Sequence, residues 1–449
     1  MKILSKYAIP LKLKNNLYIL FNTRNQAIVK LQANEFESIK QIKNAANLHE
    51  ATKNILHPDL VSILEKQKFI VAENEDKDYV ASEILRNKIA SFSSNTLSMT
   101  IAPTSDCNFA CPYCYEKHKR QCFMSDDVID HLVQYVKNYQ PCTKFKITWY
   151  GGEPLLAFDE IKKLSEKLVA IQDKEWIGHS IVTNASLITD DVIQYFKQYK
   201  LRSIQISLDG IKEHHDITRR YKHNKCGSFD VIINNIEKLL LNLNDTDVVV
   251  RVNIDKNTID DYGKIAKFFA ERFSGHLNHL RIYPGYIRVE DEERGCWNCN
   301  SILNQDKYLF FDKMADAYGV PVNWMPQRAT KGCGATSLHS YIIGPEGDMY
   351  KCWNDFGDKK RCIGNIADDQ LKGNTRLMMR YLAMGIGLDT AECCECNLLP
   401  VCSTGCPWER ISNVYDNKHF DLCTMAKSEE ILSQCMDKFL EEKELQSIS

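Results

Sequence analysis

The feature that most restricts the fold of this 449-residue chain is a run of alternating strand-like and helix-like segments between Leu97 and Pro284. Alternation of this kind predicts an α/β domain with a parallel sheet, curled into a partial (β/α)6 barrel with its helices outside. The predicted strands are Leu97–Ala102, Lys144–Tyr150, Ser180–Thr183, Ser203–Leu208, Asp247–Ile254 and Leu280–Pro284. The helices predicted between them are Asp126–Tyr139, Phe158–Ile171, Asp190–Tyr199, Phe229–Leu241 and Ile259–Phe273.

Three cysteines, Cys107, Cys111 and Cys114, follow the first predicted strand within eight residues. Three thiolates can hold a metal ion or an iron–sulfur cluster and leave one coordination position open. Ligands of parallel sheets bind beyond the carboxyl ends of the strands, so the triad lies where a cofactor is expected. The residues alone also permit a zinc site with a distant fourth ligand.

The spacing C-x3-C-x2-C, with Tyr113 directly before the third cysteine, resembles the signature of the radical S-adenosylmethionine (SAM) superfamily. The resemblance implies a [4Fe-4S] cluster on Cys107, Cys111 and Cys114, whose open iron is chelated by the amino and carboxylate groups of SAM. It also implies reductive cleavage of SAM to a 5′-deoxyadenosyl radical, which abstracts a hydrogen atom from the substrate.

Later strand ends carry further elements that resemble this superfamily. The segment 151–154 matches its GGEP element, and the segment 182–186 resembles a Thr-Asn strand end with Ala185 in place of a common glycine. The segment 206–210 resembles a Ser-x-Asp-Gly element that meets the SAM ribose, and the segment 215–219 ends in an arginine suited to the SAM carboxylate. Adjacent histidines at 214 and 215 point apart, which disfavours a metal site there. The implied cofactor-binding residues are Tyr113, Gly151, Gly152, Glu153, Pro154, Asn184, Ser207, Asp209 and Arg219.

Cysteines are densest near the C-terminus, where ten of the 18 fall between Cys333 and Cys435. Seven of them follow the order of the SPASM pattern of auxiliary-cluster domains, and a predicted hairpin over residues 342–350 belongs to the same pattern. This resemblance implies two further [4Fe-4S] clusters, and therefore three in all. The distal one would be held by Cys393, Cys396, Cys402 and Cys423, and the nearer one by Cys333, Cys352 and Cys406.

The nearer cluster lacks its usual fourth cysteine, because Gln327 stands at that position. Cys296 or Cys299 could supply the ligand, or the site could be open to a substrate group. Four-cysteine zinc ribbons share C-x2-C elements, so zinc is the alternative metal.

Residues 1–85 contain no cysteine and predict a small winged-helix-like module. Its predicted strands are Ala8–Lys14, Leu17–Phe21, Ala27–Leu31 and Phe69–Ala72, and its predicted helices start at Ala33 and cover Leu48–Ile55 and Asp59–Lys66. The order resembles the recognition element fused to enzymes that modify ribosomally made peptides, in which the leader peptide adds to a sheet edge. A DNA-binding winged helix and a structural cap are the alternatives.

Composition bounds the partners and the location. A formal charge of -2 gives no electrostatic case for nucleic acid, and there is no apolar stretch long enough to span a membrane. The N-terminus lacks a signal-like apolar region, so a cytoplasmic location is expected, where cysteines serve metals more often than disulfides.

The sequence predicts five segments: a recognition module at 1–85, a linker at 86–96, a radical SAM partial barrel at 97–300, a bridging region at 301–326 and a SPASM domain at 327–449. The function implied is an enzyme, a radical SAM oxidoreductase that modifies a precursor peptide, closing a thioether or C–C crosslink, with flavodoxin or ferredoxin as electron donor. One alternative is an anaerobic sulfatase-type maturase that forms formylglycine. The other is a zinc-binding regulatory protein with a DNA-binding winged helix.

Overall fold

The computed structural model describes residues 2–44, 56–114, 121–287, 306–330, 332–368, 372–388, 390–423 and 428–448. The chain divides into two compact units. Unit 1 comprises Met1–Ser91, Pro321–Cys333 and Ala383–Ser449, and unit 2 comprises Phe92–Val320 and Gly334–Leu382. Among the residues described, no helix is long and apolar enough to cross a membrane.

Strands and helices are numbered in chain order. The strands are β1 Lys2–Leu4, β2 Ala8–Lys12, β3 Tyr18–Asn22, β4 Ile28–Leu31, β5 Ile70–Ala72, β6 Thr96–Thr104, β7 Lys144–Gly151, β8 Glu175–Thr183, β9 Leu201–Leu208, β10 Asp247–Ile254, β11 Leu280–Tyr286, β12 Ser340–Ile343, β13 Asp348–Tyr350 and β14 Gly364–Asn365. The α-helices are α1 Ala33–Asn44, α2 Pro58–Lys66, α3 Glu75–Phe92, α4 Asp126–Asn138, α5 Phe158–Val169, α6 Asp190–Gln198, α7 Lys212–Thr218, α8 Phe229–Asn242, α9 Ile259–Arg272, α10 Lys307–Tyr318, α11 Thr375–Met384, α12 Ala391–Cys394, α13 Pro407–Tyr415 and α14 Glu429–Ile448.

Unit 1 contains a three-stranded antiparallel sheet, in the order β2-β3-β4, and a separate antiparallel pair of β1 with β5. The predicted strands β2 to β5 are confirmed to within two residues at each end, whereas the three-residue β1 was not predicted. The helix predicted over Leu48–Ile55 lies outside the described residues. The winged-helix interpretation of this module stays a prediction.

The sheet of unit 1 is buried on both faces, because successive side chains of a strand point to opposite sides. Ala8 and Leu20 face a core that includes Phe36 on α1 and Leu64 on α2. On the opposite face, neighbouring side chains of the same two strands pack against the C-terminal segments of the chain. The residues of this second core are Ile9, Leu11, Leu13, Ile19, Phe21, Leu398, Val401, Leu432 and Met436. Burial of each such side chain contributes about 1.5–3 kcal/mol, so both chain ends depend on this contact.

Unit 2 is built on a nine-stranded sheet in the order β11-β10-β9-β8-β7-β6-β12-β13-β14. The six strands from β6 to β11 pair in parallel with their sequence neighbours, which confirms the predicted parallel α/β sheet. Two of the helices between them begin at side-chain caps: Ser125 accepts a hydrogen bond from the Val128 amide at the start of α4, and Thr189 accepts one from the Val192 amide at the start of α6. Their apolar faces and the strands bury one large core.

The predicted hairpin over residues 342–350 is present as β12 and β13. Its turn closes through Gly347, which has a positive φ of 82° and donates its amide hydrogen to the Gly344 carbonyl. The hairpin does not stand apart from the barrel sheet: β12 pairs in parallel with β6, from Ser340 opposite Ser98 to Ile343 opposite Ile101. This part of the predicted SPASM segment therefore continues the sheet of unit 2.

Candidate active site

The segment that carries the first three cysteines is fixed to the carboxyl end of β6. Thr104 is fully buried, and its hydroxyl donates to the Cys122 carbonyl and accepts from the Asp106 amide. The Asp106 carboxylate accepts from the Cys107 amide at 2.7 Å and from Lys222 Nζ at 2.8 Å. Side-chain contacts at the strand end thus determine where the cysteine segment begins.

Cys107, Cys111 and Cys114 are partly buried and line one cavity. Burial raises the pKa of the Cys107 thiol to about 12 and that of Cys111 to about 11, and neighbouring cysteines add to both shifts. Without a metal these thiols are therefore protonated at neutral pH. A metal or cluster that binds them as thiolates must displace those protons and supply the compensating positive charge.

The glycine pair at the end of β7 packs against the backbone of the cysteine segment. A Cβ on Gly151, whose φ is +116°, would lie 2.2 Å from the Thr104 carbonyl oxygen, and one on Gly152 would lie 2.1 Å from the Asp106 carbonyl oxygen. The Glu153 amide donates to the same Asp106 carbonyl at 2.7 Å. The absence of side chains here lets two strand ends meet, and it also leaves both glycines open to the cavity.

Glu153 is fully buried behind the glycines and joins β7 to β8. Its carboxylate accepts hydrogen bonds from the Thr183 hydroxyl and the Asn184 amide, each at 2.7 Å, and from the Leu155 amide at 3.0 Å. Burial raises its pKa, while these donors favour the charged form. The contacts give Glu153 a role in holding the strand ends together.

Tyr113, Asp209 and Arg219 form one hydrogen-bonded network, although they lie on three segments of the chain. The Tyr113 hydroxyl donates to Asp209 Oδ2 at 2.5 Å and accepts from Arg219 Nη1 at 3.2 Å. Asp209 also accepts from Thr218 Oγ1 at 2.7 Å and from Asn253 Nδ2 at 3.0 Å. Arg219 is more than nine-tenths buried, and its Nε atom has no hydrogen-bond partner. A buried donor without a partner fits a site built to receive an anion.

His215 supports this network through both of its ring nitrogens. Its Nδ1 accepts from the Asp209 amide at 3.2 Å, and its Nε2 lies 2.9 Å from the Ser228 hydroxyl, which donates to the Arg219 carbonyl. This pairing assigns the neutral tautomer with hydrogen on Nε2, and burial lowers the pKa of His215 to about 4. The sequence indicated this histidine as the first residue of the segment 215–219 that resembles the superfamily, and disfavoured it as a metal ligand. Its spacing from the aspartate and serine gave no signal of this role.

The cavity has a volume of about 710 Å³ and lies at the carboxyl ends of the barrel strands. It brings the three cysteines together with six of the nine predicted SAM-contacting residues. Those six are Tyr113, Gly151, Gly152, Asn184, Ser207 and Arg219. Glu153, Pro154 and Asp209 are buried behind its wall. Arg251, Asn253 and Tyr283, from β10 and β11, also line it. The sequence motifs indicate none of these three as a cofactor contact.

The C-terminal cysteines are all partly buried apart from Cys333, which is exposed. In unit 1, Cys333 contributes to raising the pKa of the Cys406 thiol, after burial and the Glu409 charge. Arg410 Nη2 lies 3.8 Å from Cys393 Sγ, whereas Cys394 Sγ lies 3.2 Å from the Leu388 carbonyl oxygen. Their assignment to two clusters stays a prediction. Cys296 and Cys299 lie outside the described residues.

Single-ion metal sites are a separate question from cluster ligands. Among the residues that the structure describes, no three histidine, cysteine, aspartate or glutamate side chains converge as one metal ion requires.

Comparison with known proteins connects this cavity to a family. The profile of the radical SAM superfamily matches residues 101–269, which include the cysteine segment and the strand ends around it. A GTP 3′,8-cyclase of Clostridium perfringens is 30% identical over 298 residues, covering 61% of this chain and 86% of that protein.

Two other relatives cover more of the chain. A serine-type anaerobic sulfatase-maturating enzyme of Bacteroides thetaiotaomicron is 25% identical over 354 residues, or 70% of this chain and 82% of that one. The radical SAM cyclopropyl synthase TigE of Paramaledivibacter caminithermalis is 22% identical over 443 residues, or 90% of this chain and 89% of that one.

Solved structures share the fold. Native anSMEcpe with bound AdoMet superposes with a TM-score of 0.58 at 21% identity, covering 78% of this chain and 98% of that one. Streptococcus suis SuiB bound to S-adenosylmethionine gives a TM-score of 0.50 at 16% identity, covering 94% of this chain and 100% of that one.

Proposed function

The chain belongs to the radical SAM superfamily, and on that premise we propose that it modifies a ribosomally synthesised precursor peptide. The enzyme would take one hydrogen atom from a residue of the core peptide and close a thioether or carbon–carbon crosslink, with a second hydrogen leaving as a proton and its electron passing to an auxiliary cluster. The observation that carries the chemistry is the single cavity that unites Cys107, Cys111 and Cys114 with Ser207 and Arg219. The relative named as a cyclopropyl synthase, which spans 90% of the chain, supports a maturase of this architecture.

The residues of the cavity fit SAM and its cluster. Cys107, Cys111 and Cys114 would hold three irons, and the unpartnered Nε of Arg219 is a donor for the SAM carboxylate. Ser207 and Asn184 would contact the SAM ribose and the protein backbone beside it. Gly151 and Gly152 leave their part of the cavity wall free of side chains. When bound, SAM and the cluster together would supply a 5′-deoxyadenosyl radical to the substrate. The chain itself binds and orients them and surrounds the reacting atoms with protein.

We assign the C-terminal cysteines to two auxiliary clusters and the electron supply to flavodoxin or ferredoxin. Cys393, Cys396, Cys402 and Cys423 lie in unit 1, as do Cys333 and Cys406. Arg410 beside Cys393 offers a positive charge to a thiolate ligand, which supports its use as one. We also propose a cytoplasmic location, where cysteines serve metals more often than disulfides.

Residues 1–85 are proposed to bind the leader part of the peptide. The sheet β2-β3-β4 ends in β4, which pairs with no strand other than β3 in the described part of the chain. Most of its residues are half-buried or exposed, whereas β2 at the opposite edge is mostly buried. A leader that adds as a strand to β4 would gain main-chain hydrogen bonds and raise the effective concentration of the core peptide at the cavity.

A second candidate is a maturase that oxidises a serine or cysteine of a protein to formylglycine. The 25% identity to the serine-type sulfatase-maturating enzyme over 70% of the chain favours it. That alignment leaves more of the chain uncovered than the one with the cyclopropyl synthase does. We therefore rank the precursor-peptide function first.

The test is co-expression of the full-length enzyme with the small peptide encoded beside its gene, followed by mass spectrometry. A peptide that loses two hydrogens without reacting with a hydrazide contains a crosslink, as proposed. A hydrazide-reactive product contains an aldehyde and would establish the formylglycine chemistry instead. Deuterium uptake from D2O without other mass change would mean epimerisation, and would contradict crosslink formation. The matched control is the enzyme with Cys107, Cys111 and Cys114 changed to Ala, which should leave the peptide unchanged.

A further inference from the structure

Arg251 is the second arginine that lines the cavity. It lies on β10, in register with Ser207 on β9 and Tyr283 on β11. Its Nε atom is buried without a hydrogen-bond partner, and no carboxylate of the described residues forms an ion pair with it. The residue as a whole is half-buried, and a ligand in the cavity could supply the acceptor that Nε lacks.

Gly285 provides the space that the Arg251 side chain occupies. A Cβ at Gly285 would lie 2.3 Å from Arg251 Nε and 2.9 Å from Arg251 Cγ. Gly285 does not have a positive φ, so its backbone does not require glycine. The missing side chain therefore matters because it lets the guanidinium lie against the wall of the cavity.

The two arginines of the cavity have different surroundings. Arg219 Nη1 donates at 3.2 Å to the hydroxyl of Tyr113, the residue before Cys114, and Asp209 Oδ1 lies 3.9 Å from Arg219 Nη1. Arg251 instead lies near Tyr150 and Tyr283. Burial raises the pKa of both tyrosines, and the Arg251 charge offsets part of that rise. SAM has one carboxylate, which has to reach the iron beside the cysteines, and Arg219 is the arginine at that end.

We propose that Arg251 binds a carboxylate of the peptide substrate, from an Asp or Glu side chain or from the C-terminus, next to the residue that is modified. The inference rests on the proposed function, since it names a feature of that substrate. Gln205 supports the same subsite: its Oε1 accepts from the Tyr283 hydroxyl at 2.9 Å, which leaves its amide group to donate. A guanidinium and an amide donor together can hold both oxygens of a carboxylate.

The test uses small carboxylates as probes of the full-length holoenzyme saturated with SAM. Binding of N-acetyl-aspartate N-methylamide, of its asparagine counterpart and of N-acetyl-alanine is measured by ligand-observed NMR titration. We expect at least one carboxylate probe to bind about tenfold more tightly than the asparagine probe. Preference for the aspartate probe identifies a side chain, and preference for N-acetyl-alanine identifies a C-terminus.

Variants test whether the preference for carboxylate probes depends on Arg251 and Gly285. Arg251→Gln and Gly285→Ala should each abolish it, the first by removing the charge and the second by displacing it, and Arg251→Lys should retain part of it. Arg281→Gln is the matched control, because Arg281 lies on β11 near Asp247 and outside the cavity lining. Equal binding of all probes to the unchanged enzyme would overturn the proposal. So would a tenfold loss of SAM affinity in Arg251→Gln, since Arg251 would then serve the cofactor.

Failure of the proposed function gives a different result. The unchanged holoenzyme, reduced with dithionite, should form 5′-deoxyadenosine from SAM without any peptide. If it binds SAM and does not cleave it, the radical SAM function fails, whatever the probes show. If cleavage proceeds and the probes do not discriminate, the carboxylate subsite alone is wrong.

Discussion

The hydroxyl of Tyr113 lies between Arg219 and Asp209, accepting from Arg219 Nη1 at 3.2 Å and donating to Asp209 Oδ2 at 2.5 Å. The residue that precedes the third cysteine is thus tied to the arginine proposed to hold the SAM carboxylate. A change on the cysteine segment is therefore expected to alter how Arg219 holds the SAM carboxylate.

Tyr113→Phe should weaken SAM binding about three- to tenfold, because Arg219 loses a hydrogen bond that orients it. The cluster ligands are untouched, so the iron content should not change. Equilibrium dialysis with SAM and an iron assay measure the two quantities. Tyr221→Phe is the control, since the Tyr221 ring packs on Phe109 from the same region. Unchanged SAM affinity in Tyr113→Phe would show that Arg219 is held without this contact.

Changing Cys107, Cys111 and Cys114 together to Ala should abolish formation of 5′-deoxyadenosine and leave about two thirds of the iron, held by the auxiliary clusters. Iron, sulfide and 5′-deoxyadenosine are measured after anaerobic reconstitution. Cys226→Ala, at an exposed position, should behave like the unchanged protein. Loss of all iron in the triple variant would argue against clusters that form independently.

Gly152→Ala should destabilise unit 2 by about 1–3 kcal/mol, because its Cβ would overlap the Asp106 carbonyl oxygen at 2.1 Å. The displaced backbone carries the cysteines, so the iron of the SAM-binding cluster should also fall. Thermal unfolding and iron content are the measurements. Gly275→Ala is a matched control, since nothing lies within 4 Å of its added Cβ. Equal melting of both variants would contradict the close approach of β7 to the cysteine segment.

His215 should make the protein less stable as the pH falls. Burial lowers its folded-state pKa from 6.5 to about 4, so between these values the unfolded chain takes up a proton that the folded one does not. Stability from this group is complete above pH 6.5 and is lost toward pH 4, by about 3 kcal/mol in full.

The pH effect is measured as the change in unfolding temperature between pH 7.5 and pH 5.5, for the unchanged protein and for His215→Gln. The difference between the two proteins cancels the contribution of other groups. Over this interval the unchanged protein should lose on the order of 1 kcal/mol more than the variant. Parallel pH dependences would mean that the pKa of His215 is the same in the folded and unfolded states.

The six parallel strands and the cysteine triad could be predicted because their signals are local, in apolar runs and in spacing within eight residues. The contacts of Glu153, His215 and Asn253 could not, since each depends on which strand ends meet. The pairing of β12 with β6 joins Ser340 to Ser98, and nothing in either segment indicates the other.

Arg251 is a further residue whose role could not be predicted from the sequence. In the sequence Arg251 is one of many charged residues, and it lies on the predicted strand Asp247–Ile254. Arginines on strands are mostly structural. Its significance depends on Gly285, 34 positions later, which pairs with Asn253 rather than with Arg251 itself. Only the register of β10 with β11 shows that the glycine makes room for the guanidinium.

The second face of the sheet in unit 1 also constrains how the chain folds during its synthesis. Ile9, Leu11 and Phe21 leave the ribosome about 400 residues before Leu432 and Met436, which cover them. At roughly 5–20 residues per second the early strands wait about 20–80 s for that cover. Their apolar face is exposed throughout this interval, so the newborn chain depends on chaperones or on temporary contacts of its own. Truncation after residue 85 would make that exposure permanent.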